Sequence, residues 1–258
     1  MITPPKQQPY KNILLIITTT CLLFGVGFLI NRNLYQQQKS KVAEVTQVDP
    51  STESQPADFS ETTISEIEAL ASLAITVPFT PQAPTANWDE LHNEACEEAS
   101  AIMVNAYFSG IDTLPAPYVE SQIEMLTEWQ NKNYGYHLSI DTAETANMIE
   151  EVYGLKTTTV SISEKAIKQA LVADKIVIIP TNGQLLKNPF YKPPGPLYHM
   201  LVITGYTETE FISNDPGTRR GLNYNYTYET LYESTGNWVH NDSMVDLTDK
   251  KIIIVSKK

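Results

Sequence analysis

The spacing of apolar residues in this 258-residue chain changes once, from a helical period to a strand period. That order restricts the fold to one class. Ala99, Ile102, Met103, Ala106 and Tyr107 share a helix face, and a second helix over residues 117–131 turns Ile123, Leu126 and Trp129 inward. A third begins at Asp141, where Asp141-x-x-Glu144 makes a capping box, and ends near Gly154; a fourth, over 164–173, is capped by Ser161 or Ser163. Strands follow: Ile176–Ile179 as a continuous apolar run, then Tyr198–Tyr206, Phe211–Asp215 and Ile252–Val255. Helices first and strands later imply an α+β domain in which an N-terminal helical half packs on a C-terminal antiparallel sheet.

The segments upstream have a different character. Ile13–Ile30 is an 18-residue run without a charge, near the lower end of the roughly 17–25 residues that cross a bilayer as a helix. No Ala-x-Ala-like cleavage site follows Ile30, which favours a retained transmembrane signal anchor over a cleaved signal. The expected organisation is a short tail at 1–12, the anchor at 13–30, a flexible linker at 31–75 and a compact domain at 76–258. Within the linker, Ile64, Ile67, Leu70, Ala71 and Ala74 have helical spacing, so a short helix is expected over Thr63–Ala74. Lys6 and Lys11 on one side of the anchor are balanced by Arg32, Lys39 and Lys41 on the other, so charge alone does not orient it. The usual outcome for a signal anchor with a long C-terminal domain is a single-pass protein of the cell membrane with that domain outside the cytoplasm.

The formal net charge is −12, without a basic cluster, which disfavours nucleic-acid binding. The run Gly217–Gly221 (GTRRG) lacks the Lys-Ser/Thr of a phosphate loop, so no nucleotide is expected. His92, His137 and His240 show no metal-ligand spacing with Cys or carboxylates, and neither metal nor cofactor is expected. Cys21 and Cys96 are the only cysteines, and Cys21 lies within the apolar segment. The compact domain therefore holds one thiol and no disulfide.

That thiol carries the functional argument. With Asn93 as N-cap, Cys96 falls in the first turn of its helix, where free backbone N–H groups favour a thiolate, while Glu97 and Glu98 oppose it. A hairpin turning about Thr207–Glu210, in a register setting His199 across from Asp215, puts imidazole and carboxylate on one face. A one-residue slip makes Asn214 the orienting group instead. Gln82 is the upstream amide available to an oxyanion. Each residue alone has a plainer explanation: a small buried hydrophobe for Cys96, a strand residue for His199, a turn starter for Asp215, a loop residue for Gln82. The ordered set Cys96, His199, Asp215 points instead to a nucleophile, its base and its orienter. The Lys187–Leu197 loop, with Phe190, Tyr191 and four prolines, is either the wall of a peptide groove or a rigid surface loop.

VPFTPQAP at Val77, ACEEAS at Ala95, GPLYHMLVITGY at Gly195 and NDPG at Asn214 together resemble the bacterial cysteine peptidases similar to the bacteriocin-processing, double-glycine leader peptidases. The resemblance implies a papain-like fold, a thiol nucleophile at Cys96, a base at His199, an orienting Asp215 and a glutamine in the oxyanion hole. Two departures stand out: the position six before Cys96 is Glu90, and Glu97-Glu98 replace the Gly-Pro of many relatives. The implied protein is a membrane-tethered cysteine peptidase hydrolysing peptide bonds through a thioester acyl-enzyme, with a peptide or protein as partner. Transfer of the acyl group to an amine, as an acyltransferase or transpeptidase, and a non-catalytic tethered binding domain are the alternatives.

Overall fold

The computed structural model of the protein describes residues 71–258. The expected anchor at 13–30, the tether and most of the Thr63–Ala74 segment lie outside the described residues. Among the described residues no helix is long and apolar enough to cross a membrane.

The described chain runs β1 (Leu73–Ala74), α1 (Glu90–Asn93), α2 (Cys96–Ser109), α3 (Ala116–Asn133), α4 (Thr142–Tyr153), β2 (Lys156–Ser161), α5 (Glu164–Val172) and β3 (Ile176–Thr181). It continues through β4 (His199–Tyr206), β5 (Glu210–Asn214), β6 (Tyr224–Thr227), α6 (Tyr228–Ser234), β7 (Asn237–Val239), β8 (Met244–Asp246) and β9 (Lys251–Ser256). This is an α+β domain. Its main sheet has seven strands in the order β2-β9-β3-β4-β5-β6, all pairs antiparallel, with β1 added beside β4.

Capping chemistry sets the helix ends. Asp141 accepts from the Ala143 and Glu144 amides while the Glu144 side chain accepts from the Asp141 amide, so the expected capping box is formed, and α4 stops at Gly154 with φ 67°. Ser163, not Ser161, caps α5. Asn93 does not cap the cysteine helix. Asp89 caps a separate short helix, α1, which ends at Asn93, and α2 starts afresh at Cys96 after Ala95. Asp89 starts α1 by accepting from the His92 amide.

The sheet is covered on both faces, which explains why its centre is apolar without alternation. Ile176, Ile178, Met200, Val202, Ile253 and Val255 face the core shared with α2, α3 and α4. Val177, Ile179, Leu201, Ile203 and Ile252 face a second core closed by Ile167 and Leu171 of α5 and Leu231 of α6. All eight residues of β4 are buried. The helix α2, expected to be amphipathic, is buried on nearly every side, including Glu97, Glu98 and Ser100, because it packs on β4, α3 and α4 together.

Two expectations on strands are corrected. Leu73 and Ala74 pair with Tyr206 and Gly205 as β1 rather than ending a helix, and Ile75 donates to the Thr204 carbonyl at 2.8 Å. The ladder of β3 stops at Ile203, and this segment satisfies the β4 groups left unpaired beyond it. In the β4–β5 hairpin Val202 faces Asn214, where the expected register puts Ile212, and a bulge intervenes between Ile203 and Gly205. A displacement of two residues keeps each side chain on its face. Asp215 therefore lies diagonally from His199 instead of directly across.

Candidate active site

His199 opens β4, and Asp215 directly follows β5. Their side chains meet, with His199 Nε2 at 2.8 Å from Asp215 Oδ1, the imidazole 1% and the carboxylate 0% exposed. The carboxylate is held from every side. Oδ1 also accepts from the Gly217 amide at 2.9 Å, and Oδ2 accepts from Tyr191 Oη and Tyr226 Oη at 2.6 Å each and from Asn188 Nδ2 at 3.0 Å. Burial alone would raise the Asp215 pKa, but the His199 charge and the hydrogen bonds of His199, Tyr191 and Tyr226 outweigh it and hold the carboxyl below its ordinary value. With Nε2 engaged, His199 Nδ1 has no hydrogen-bond partner among the described residues. Gly217 seals the ring: a Cβ there would stand 2.9 Å from His199 Cε1 and 2.8 Å from Tyr191 Cε1.

Cys96, 4% exposed, is the first residue of α2, and α2 packs on β4. Its Sγ donates to Glu97 Oε2 at 2.9 Å, and no hydrogen bond joins it to His199. Burial, then the Glu97 charge and hydrogen bond, push the thiol well up; the Met200 amide, next after His199, acts the other way. Of the opposing influences expected on this thiol, the helix start and the two glutamates, the raising side prevails here, with burial the largest cause. Glu97 is itself raised by burial and by the neighbouring Glu98 charge, and Glu98 is raised by burial to about 7 although Gln130 Nε2 donates to it. Both acids are shifted toward the neutral form, which lessens but does not remove their repulsion of a thiolate.

The remaining expected residues fall elsewhere. Gln82 Nε2 donates to the carbonyls of His92 at 2.8 Å and Asn93 at 3.0 Å, so both its amide hydrogens tie the chain to α1 and neither is left for an oxyanion; its Oε1 is buried without a partner. Asn214 Nδ2 donates to the Val77 carbonyl at 3.0 Å and its Oδ1 accepts from the Asn223 amide at 3.2 Å, away from His199. The set Asn188, Tyr191 and Tyr226 around Asp215 was missed, since only the fold brings 188–191 and 226 to one carboxylate. One ligand-capable cluster was also hidden: donor atoms of Asp141, Glu144 and His240 lie within 4.8 Å of one another. The capping box of α4 and the His240–Glu144 contact at 2.8 Å account for it.

A cleft of about 960 Å³ opens beside these residues. Its lining includes Gln82 and also Asn93, Glu94, Tyr198 and Gly217, which are close in sequence to Cys96, His199 and Asp215. The Phe190–Leu197 stretch forms one flank and Thr218–Arg220 another, so the proline-rich loop lines a groove. An imidazole anchored by a buried carboxylate, with a cysteine helix packed on its strand, can accept a proton on Nδ1 and hold it.

Such an α+β domain is cysteine-peptidase-like in its parts, and the family comparison agrees. The model described as "Peptidase_C39 like family" matches residues 74–244, about two thirds of the chain. The chain belongs to the peptidase C39-like family, whose members imply a peptide or protein as substrate. A solved structure of a candidate C39-like peptidase from Bacillus anthracis aligns with 72% of this chain and 98% of its own, at 14% identity and a TM-score of 0.48. No curated protein matches the chain.

Proposed function

We propose that this protein is a cysteine peptidase of papain-like arrangement, with Cys96 as nucleophile, His199 as base and Asp215 as orienter. The observation that carries the proposal is the buried His199–Asp215 pair, which leaves Nδ1 unengaged on the strand against which the cysteine helix packs. A turn of Cys96 about its Cα–Cβ bond exchanges Glu97 for Nδ1; the thiol proton passes to His199, and the sulfur attacks the peptide carbonyl carbon. The C–N bond breaks as His199 returns the proton to the departing amine. Water, deprotonated by the same nitrogen, then cleaves the thioester and restores the thiol. The Cys96 backbone N–H, unpaired at the helix start, is the oxyanion donor that this geometry favours.

The proposal is tested by incubating the full-length chain with a mixed peptide library and identifying new termini by mass spectrometry. New termini that vanish in Cys96→Ala and His199→Ala support it; none from the unaltered chain overturns it. A second reading, a binding domain without turnover, is favoured by the protonated, Glu97-bonded thiol. It requires that labelling of Cys96 be the same with and without His199. The uncharged run Ile13–Ile30 supports a membrane tether with the domain outside the cytoplasm. Protease accessibility of the domain in intact cells tests that placement.

A further inference from the structure

The chain contains three arginines, Arg32, Arg219 and Arg220, against 30 acidic residues, and two of the three line the cleft. In so acidic a protein a guanidinium has many carboxylates available, yet among the described residues neither Arg219 nor Arg220 makes an ion pair, and nor does Lys192 on the opposite flank. The Arg220 guanidinium instead lies over the Phe190 ring, 4.8 Å from its centre, which holds it against another residue of the cleft lining. Glu94 is the single acid in the lining, and its Oε2 accepts from Ser139 at 3.0 Å. Exposed Trp88, Phe190 and Leu197 supply apolar wall between the charges.

We infer that this cleft selects peptides carrying a carboxylate beside an apolar side chain, with Arg219 and Arg220 as the residues that bind the carboxylate. The inference rests on the proposed peptidase reading for which bond is cut, but not for binding. Three cations without an ion pair among the described residues, around one groove on a protein of net charge −12, form a site complementary to an anion and repel a basic peptide. The carboxylate could be an Asp or Glu side chain or a peptide C-terminus, since a guanidinium fork receives both alike.

The test uses the full-length chain with Cys96→Ala, so that binding is read without turnover. Four labelled peptides share one apolar core: Glu-bearing with an amidated end, Gln-bearing with an amidated end, Gln-bearing with a free C-terminus, and Lys-bearing with an amidated end. A carboxylate peptide should bind about three- to ten-fold tighter than its amidated Gln counterpart, with the advantage largely lost near 1 M salt. Preference for the Glu-bearing peptide assigns the side-chain source, and preference for the free end assigns the terminal one. Adding Arg219→Gln and Arg220→Gln together should abolish the preference, whereas Arg219→Lys with Arg220→Lys should retain most of it and so exclude misfolding as the cause. Equal binding of all four, or tighter binding of the Lys peptide, overturns the inference. A chain that prefers acidic peptides yet cuts none leaves the inference standing and removes the peptidase reading.

Discussion

Glu97 occupies the position at which an anion would most oppose a thiolate, and burial shifts it toward its neutral form. With burial raising both groups, the Cys96–Glu97 pair holds its protons to higher pH than either side chain would in water. Glu97→Gln removes the charge that burial alone must suppress, so half-maximal iodoacetamide labelling of Cys96, read on its own peptide by mass spectrometry, should move to lower pH. Labelling near pH 7 should rise about several-fold, and an unchanged or higher midpoint would contradict this account. Asp215→Asn leaves Asn188 and the two tyrosines without an anion to bind and frees the ring to adopt the wrong tautomer. Peptide hydrolysis should drop by about 10²–10⁴-fold in kcat/KM. Cys96, His199 and Asp215 could be picked out of the sequence as candidates because their chemical types and order are distinctive. The failure of Gln82 could not, because the carbonyls that capture its amide belong to α1, a four-residue helix too short to leave a periodic signal.

Among the elements, the helices announced themselves through caps and spacing, and the central strands through unbroken apolar runs. The edge strand β2, Lys-Thr-Thr-Thr-Val-Ser, did not, since most of its residues are exposed and it is fixed by pairing with β9 and by contacts with α4 that include Thr157–Glu150. The β4 bulge was also invisible, for no residue type demands it. Its neighbour Gly205 shows what the bulge region accommodates: a Cβ there would stand 2.3 Å from the Leu73 carbonyl oxygen. Gly205→Ala should therefore expel β1 from β4 and lower stability by about 1–3 kcal/mol, measured by urea unfolding. A variant as stable as the parent would mean that β1 contributes nothing to the sheet.

At the scale of the molecule, buried acids make the stability depend on pH in an unusual direction. Glu98 titrates near 7 in the folded chain and at its ordinary value of 4.5 when unfolded. Between these values the folded form binds the extra proton, so stability should fall as pH rises from about 4.5 to 7, by on the order of 3 kcal/mol. Urea midpoints across that range should decline in the parent, and the slope should flatten in Glu98→Gln. Glu97 acts in the same sense, so some slope should remain. The cleft itself was legible only as a proline-rich loop with two open meanings, because its walls come from segments around residues 88–94, 190–198 and 217–220.

The loop after β3 serves two places at once. Asn188 and Tyr191 grip Asp215 from within, while Phe190 and the residues to Leu197 form the rim that a ligand must touch. Occupancy outside and alignment inside therefore share one mechanical link, and thermodynamics makes that link symmetrical. Whatever factor a bound peptide contributes to holding the carboxylate in place, loosening the carboxylate must take back from the grip on the peptide.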